Sequence, residues 1–177
     1  MKKYFPAFFG FLLAGCAGLP KGVEPVKNFD VNRYLGVWHE IARLDHRFER
    51  GLTSVTAEYS LRDDGGVKVV NRGYKLDKKK WKDVEGKAYF RGARDEGALK
   101  VTFFWPFYGD YNIIELAGDY SYSLVVGPNK DYMWILARTP ELPKQTLEML
   151  VTKARVLGFP AEELIYPGDK APKPVRE

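Results

Sequence analysis

Cysteine is nearly absent. Only Cys16 among 177 residues carries a thiol, so no disulfide can close within the chain and packing must supply its stability. The apolar run Tyr4 to Leu13 falls well short of the roughly 20 residues that span a bilayer. Histidine is scarce: His39 falls on the outward phase of a strand pattern and His46 in a loop, so both are expected at the surface. No Ser-His-Asp order, Gly-x-Ser-x-Gly elbow, phosphate-binding glycine loop or His/Cys metal spacing occurs, so neither a catalytic set nor a metal or cofactor is expected. Excess charge is slight, a formal +5 that drops to +3 without Lys2 and Lys3, which reads as a solvated basic surface with at most a weak bias toward anionic lipid. Aromatics, by contrast, are plentiful. The 11 Tyr, 11 Phe and 4 Trp favour strands or an aromatic-lined cavity over a helical bundle, and the length suits one domain with short extensions.

Two lysines, a short apolar run and a small-residue finish at Leu13-Ala14-Gly15-Cys16 follow signal-peptide grammar. The last four residues resemble the bacterial lipobox, which implies cleavage after residue 15 and acylation of Cys16. Multiple acylation would hold the domain permanently at a membrane. Alanine at position 17, where the enteric sorting rule places aspartate for inner-membrane retention, implies the outer membrane, with its periplasmic face favoured. Residues 16–27 are Gly/Pro-rich and aperiodic and read as a flexible tether. Residues 28–167 read as the folded domain, and the Pro/Lys-rich residues 168–177 as a disordered tail.

From Gly36 onward, strand patterns alternate with short turns. The runs are Gly36 to Leu44, Leu52 to Arg62, Val67 to Leu76, Val84 to Arg91, Ala98 to Phe104, Tyr111 to Leu116, Tyr120 to Val126 and Tyr132 to Arg138. Asp63-Asp64-Gly65-Gly66 is the clearest hairpin signal. Short connections throughout imply an eight-stranded antiparallel up-and-down meander, and closure into a β-barrel removes its edges. Leu147, Leu150, Val151, Ala154 and Leu157 then recur at helical spacing, with prolines before them and Gly158 after. One C-terminal α-helix is therefore expected to pack outside the barrel, and Phe159 to Tyr166 reads as a short final strand.

Asn28 to Leu44, N-F-D-V-N-R-Y-L-G-V-W-H-E-I-A-R-L, places Gly36 at the start of the first strand and Trp38 two residues in. This stretch resembles the first signature of the lipocalin family, most closely its bacterial outer-membrane lipoprotein branch. Gly118-Asp119-Tyr120 stands where the family carries a Thr-Asp-Tyr-like turn and departs from it at the first residue. Arg138 ends the last strand where the family lays an arginine across the first-strand tryptophan. The resemblance implies a lipocalin-like all-β barrel in which Gly36, Trp38, Asp119, Tyr120 and Arg138 are structural.

An eight-stranded barrel is either just filled by side chains or holds one small ligand. On the phase set by Trp38, the inward positions include Glu40, Ala42 and Leu44, with Gly86, Ala88 and Phe90, Val101 and Phe103, and Trp134 on other strands. Tyr59 and Tyr111 are candidates for polar contact near the mouth. Gly86, Ala88 and Ala42 argue for a cavity, whereas Phe103 and Trp134 could fill it. The residues alone leave both readings open, and the family resemblance favours a cavity. Glu40 must be hydrogen-bonded or paired if it points inward, to a ligand head group or to a structural partner. The expected function is membrane-anchored storage or transport of a single-tailed lipid, a fatty acid or lysophospholipid. The alternatives are a haem- or pigment-type ligand, or a structural envelope lipoprotein with a filled barrel. One lipocalin enzyme type uses a cavity cysteine, but here the sole thiol is assigned to acylation, so no enzyme is expected. The run Lys75 to Lys82 sits on a hairpin turn and reads as solvated, not as a nucleic-acid contact. A homodimer is left open.

Overall fold

The computed structural model describes residues 19–171 apart from Lys21; the leader, Cys16 and the end of the tail lie outside the described residues. Eight strands form a closed barrel in chain order: β1 (Gly36–Arg43), β2 (Leu52–Leu61), β3 (Val67–Lys75), β4 (Lys80–Phe90), β5 (Ala98–Phe104), β6 (Phe107–Leu116), β7 (Tyr122–Val126) and β8 (Met133–Ala137). Each pairs antiparallel with the next, and β8 pairs with β1 to close the ring. A four-residue helix α1 (Val31–Tyr34), capped by the Asp30 carboxylate accepting from the Asn32 amide, precedes β1. Helix α2 (Lys144–Val156) follows β8.

Two strands begin earlier than their apolar patterns suggest. β4 starts at Lys80 and β6 at Phe107, because Lys75 pairs with Lys80 and Phe104 with Phe107. Backbone ladders extend through residues whose side chains give no burial signal. The expected last strand is replaced by a 3-10 turn at Ala161–Glu163 and a single bridge between Ile165 and Arg43.

Two apolar cores result. The inner one lies inside the barrel around Trp38, Tyr34, Val69, Leu99, Val125 and Leu136. The outer one lies between the barrel wall and α2, where Leu150 and Ala154 are fully buried against Leu124, Val126, Met133 and Ile135. Burial of a leucine such as Leu150 contributes about 1.5–3 kcal/mol. Lys153 at the end of α2 also pairs with Glu115 on β6.

The β1–β8 register shifts between Glu40 and Ala42. Side chains alternate along a strand, so one extra residue exchanges the two faces of everything beyond it. Glu40 therefore faces inward and pairs with Leu136, whereas Ala42 pairs with the outward-facing Ile135.

The segment read as a free tether is fastened over part of its length. Val23 is buried in the outer core, the Val26 amide donates to the Ile113 carbonyl, and the Gly97 amide donates to the Val26 carbonyl. The start of the tail is likewise tied down. The Ser54 hydroxyl donates to the Asp169 carboxylate at 2.6 Å, and Thr53 Oγ1 donates to the Pro167 carbonyl at 2.7 Å.

Candidate functional site

Antiparallel order places the connections 62–66, 91–97 and 117–121 at one end of the barrel and 44–51, 76–79, 105–106 and 127–132 at the other. The first end is shut. The Phe29 amide donates to the Asp95 carbonyl, and the Phe29 ring packs on Tyr34 and Phe90. Arg138 closes the seam: its guanidinium sits 4.0 Å from the Trp38 ring centroid and donates to the carbonyls of Val37, Arg33 and Tyr120. Gly36, at φ +90, bends the chain beside that guanidinium, and a Cβ there would lie 3.5 Å from Arg138 Nη1. Trp38 Nε1 donates to the Tyr34 carbonyl at 2.8 Å. Asp119 shapes the 117–121 turn by accepting from the Ser121 amide, and the Tyr120 hydroxyl accepts from the Asp30 amide at 2.8 Å. All five signature residues thus meet at the shut end.

Above this plug lies a tyrosine floor. The Tyr34 and Tyr111 hydroxyls are 2.8 Å apart, those of Tyr59 and Tyr111 are 2.9 Å apart, and Tyr34 also reaches Ser123. Burial pushes the Tyr34 hydroxyl up to about 12 and raises Tyr59 and Tyr111 as well, so all three remain neutral donors and acceptors. Ala88, Leu99, Val101, Tyr59 and Tyr111 help enclose a small space of ≈10 Å³ between floor and plug, about one water in size. Toward the other end Phe103 and Trp134 face inward yet are only partly buried, so this end is the less closed of the two.

Gly86 leaves no void. A Cβ on it would lie 2.7 Å from the Phe103 ring, so the glycine is the seat of that ring. Ala42 and Leu44, read as cavity wall, lie in the outer core instead, because the β1 bulge turns them away from the interior. Phe90 faces inward at the shut end, where it packs against Phe29. Glu40, Tyr59, Ala88, Val101, Phe103, Tyr111 and Trp134 occupy the interior.

The bulge brings a residue inward that the pattern assigned to the surface. Arg43, only 1% exposed, pairs with Glu40 and donates to the Glu49 carbonyl at 2.9 Å. Trp134 Nε1 donates to Glu49 Oε2 at 3.0 Å, and His46 Nε2 lies 2.9 Å from the same oxygen. His46 is not a surface residue: the 44–51 loop folds it against Tyr132 and Trp134. Burial, reinforced by the neighbouring Glu49 and only partly offset by Arg43, pushes the Glu40 carboxyl up to about 8. Burial also opposes ionisation of Glu49, but His46, Trp134 and Arg43 together outweigh it and hold that carboxyl below its ordinary value. No local pattern announces this cluster, since residues 40 and 43 would fall on opposite faces of a regular strand.

Outside the barrel a surface groove of ≈220 Å³ runs between β1, β2 and residues 168–171, lined in part by His39, Thr56, Trp81 and Asp169. Among the described residues no group of three or more His, Cys, Asp or Glu is placed to hold a metal ion.

A closed eight-stranded up-and-down β-barrel plugged at one end, with an aromatic interior that holds one buried ion pair, has the architecture of the small-ligand-binding barrel proteins. Within that class, the chain belongs to the lipocalin family: residues 29–169 match the family model described as a lipocalin-like domain. It is 50% identical over 167 residues to the outer membrane lipoprotein Blc of Vibrio cholerae, covering 94% of this chain and 98% of that one. The Blc protein of Escherichia coli is 52% identical over 158 residues, covering 88% and 89%. Among solved structures, insecticyanin of the tobacco hornworm Manduca sexta superposes with a TM-score of 0.66 at 21% identity over 85% of this chain and 86% of that one, a likeness of fold.

Proposed function

We propose that this chain is a lipoprotein of the outer membrane, anchored through acylated Cys16 with its barrel on the periplasmic side, that binds single-tailed lipids, namely fatty acids or lysophospholipids. The carrying observation is a barrel plugged at one end, with the Phe103 and Trp134 rings facing inward and only partly buried toward the other, beyond a neutral tyrosine floor. Two relatives at about half identity are named outer membrane lipoproteins, which supports the location. A long acyl chain offers on the order of 10 kcal/mol gross at about 0.8 kcal/mol per methylene, set against association costs of roughly 4–15 kcal/mol. That balance suits reversible binding. The tail enters the open half and the head group stays at the rim, near Glu49 and His46.

We read the protein as a binder and not as an enzyme, since the lipocalin-like domain spans residues 29–169 and the sole thiol is assigned to acylation. One observation favours the filled-barrel alternative: the Phe103 ring covers Gly86, and the enclosed space is only ≈10 Å³. Titration separates the two. Delipidated protein mixed with a fluorescent fatty acid or lysophospholipid is expected to give saturable quenching of tryptophan emission at one ligand per chain. An absence of saturable quenching refutes the lipid reading and leaves the packed barrel.

A further inference from the structure

The rim at the open end carries a group of side chains that neither core absorbs. Phe104, Trp105 and Phe107 are 67%, 82% and 76% exposed, and Tyr108 beside them is also exposed. They crowd onto the tip of the β5–β6 hairpin, where Phe104 pairs with Phe107. Single exposed apolar residues are ordinary on a protein surface, but a contiguous aromatic tip marks a contact site. On the next loop but one around the same rim, Phe48 is 61% exposed, with the Arg47 guanidinium 5.0 Å from its ring.

The neighbouring hairpin supplies charge. β4 pairs with β5, so the β3–β4 connection stands beside the aromatic tip. Lys78, Lys79, Lys80 and Lys82 are exposed there and, among the described residues, make no ion pair. Aromatic rings beside unpaired lysines match the chemistry of a bilayer surface, with rings at the acyl boundary and ammonium groups among anionic head groups. A second copy of the chain fits less well, because a two-fold contact through this rim would bring the two lysine clusters together.

We infer that the open rim docks on the membrane: the Phe104–Tyr108 tip enters an anionic leaflet while the adjacent lysines engage lipid phosphates. The barrel mouth then faces the leaflet from which a lipid would leave. This orientation uses the membrane location proposed above but does not depend on which lipid the barrel holds.

The test uses the full-length acylated chain, purified from membranes and reconstituted into phosphatidylcholine–phosphatidylglycerol vesicles containing phospholipid brominated on its acyl chains. Bromine quenches tryptophan only at close range, and comparison with Trp105→Phe isolates residue 105 from Trp38, Trp81 and Trp134. The expected result is that most of the bromine quenching disappears in Trp105→Phe. It should also fall in Lys78→Glu/Lys79→Glu/Lys80→Glu and when phosphatidylglycerol is omitted. Phe104→Ser/Phe107→Ser should blunt it with an unchanged thermal melt, since neither residue belongs to a core. Equal quenching in the parent and Trp105→Phe, or a Trp105 signal that responds to protein concentration and not to bromine, overturns the proposal, the latter assigning the tip to a second copy. Native mass spectrometry of the same samples reports bound single-tailed lipid separately, so failure of the docking and failure of the lipid reading are distinguished.

Discussion

Glu40 and Glu49 sit within one buried cluster and respond to pH in opposite senses. Glu40 has its carboxyl raised to about 8, so the folded state holds a proton that the unfolded chain releases at lower pH. Its contribution to stability therefore declines as pH rises from the ordinary carboxylate range toward 8. Glu40→Gln should remove this decline: urea midpoints at pH 5.5 and pH 8.5 are expected to differ less in the variant than in the parent. Glu49 is held below its ordinary value, so its contribution is present at neutral pH and is lost as pH falls through the acidic range; Glu49→Gln should cost most near neutrality and little at low pH. Arg138 presents a case of geometry. Its flat guanidinium covers the Trp38 ring and reaches three carbonyls, which an ammonium cannot reproduce. Arg138→Lys is expected to lower stability by about 1–2 kcal/mol in urea unfolding, with little change in ligand affinity.

At the scale of elements, the two cores make separable predictions. Leu150 lies wholly in the seam between α2 and the barrel, so Leu150→Ala should cost about 2–5 kcal/mol while leaving fatty-acid affinity near that of the parent. Gly86 seats the Phe103 ring. Gly86→Val must push that ring aside, at about 1–3 kcal/mol for overpacking, and should also weaken lipid binding, both measurable by thermal melts and titration. The meander, its closure and the outer helix were legible in the sequence because each left a local trace: short turns, period-two runs, then Leu147, Leu150 and Ala154 at helical spacing. The β1 bulge left none. One residue, Ile41, exchanges the faces beyond it, so Ala42 and Leu44 leave the interior and Arg43 enters. The fastening of residues 22–27 was equally silent, since backbone bonds to Gly97 and Ile113 need no side-chain pattern. His46 was misplaced because burial within a loop depends on what the loop folds against, here Tyr132 and Trp134.

For the whole molecule, the binding proposed above ties ligand occupancy to folding. A guest that binds only the closed barrel at 100 times its dissociation constant adds about 2.7 kcal/mol to stability. The melting temperature should therefore climb with lipid concentration and level off only logarithmically, and a flat response in calorimetry would mean the interior takes no guest. The binding of residues 22–27 to the barrel has its own consequence for movement. With Cys16 as the acylated residue proposed above, only Ala17 and Gly18 separate it from Leu19, which already packs on the outer core. An extended chain advances at most about 3.6 Å per residue, so the leash spans on the order of 10 Å. A barrel held that closely cannot ferry cargo across the space between two membranes. Under the proposed anchoring it would patrol a plane, and its encounters with a lipid ligand would be collisions in two dimensions.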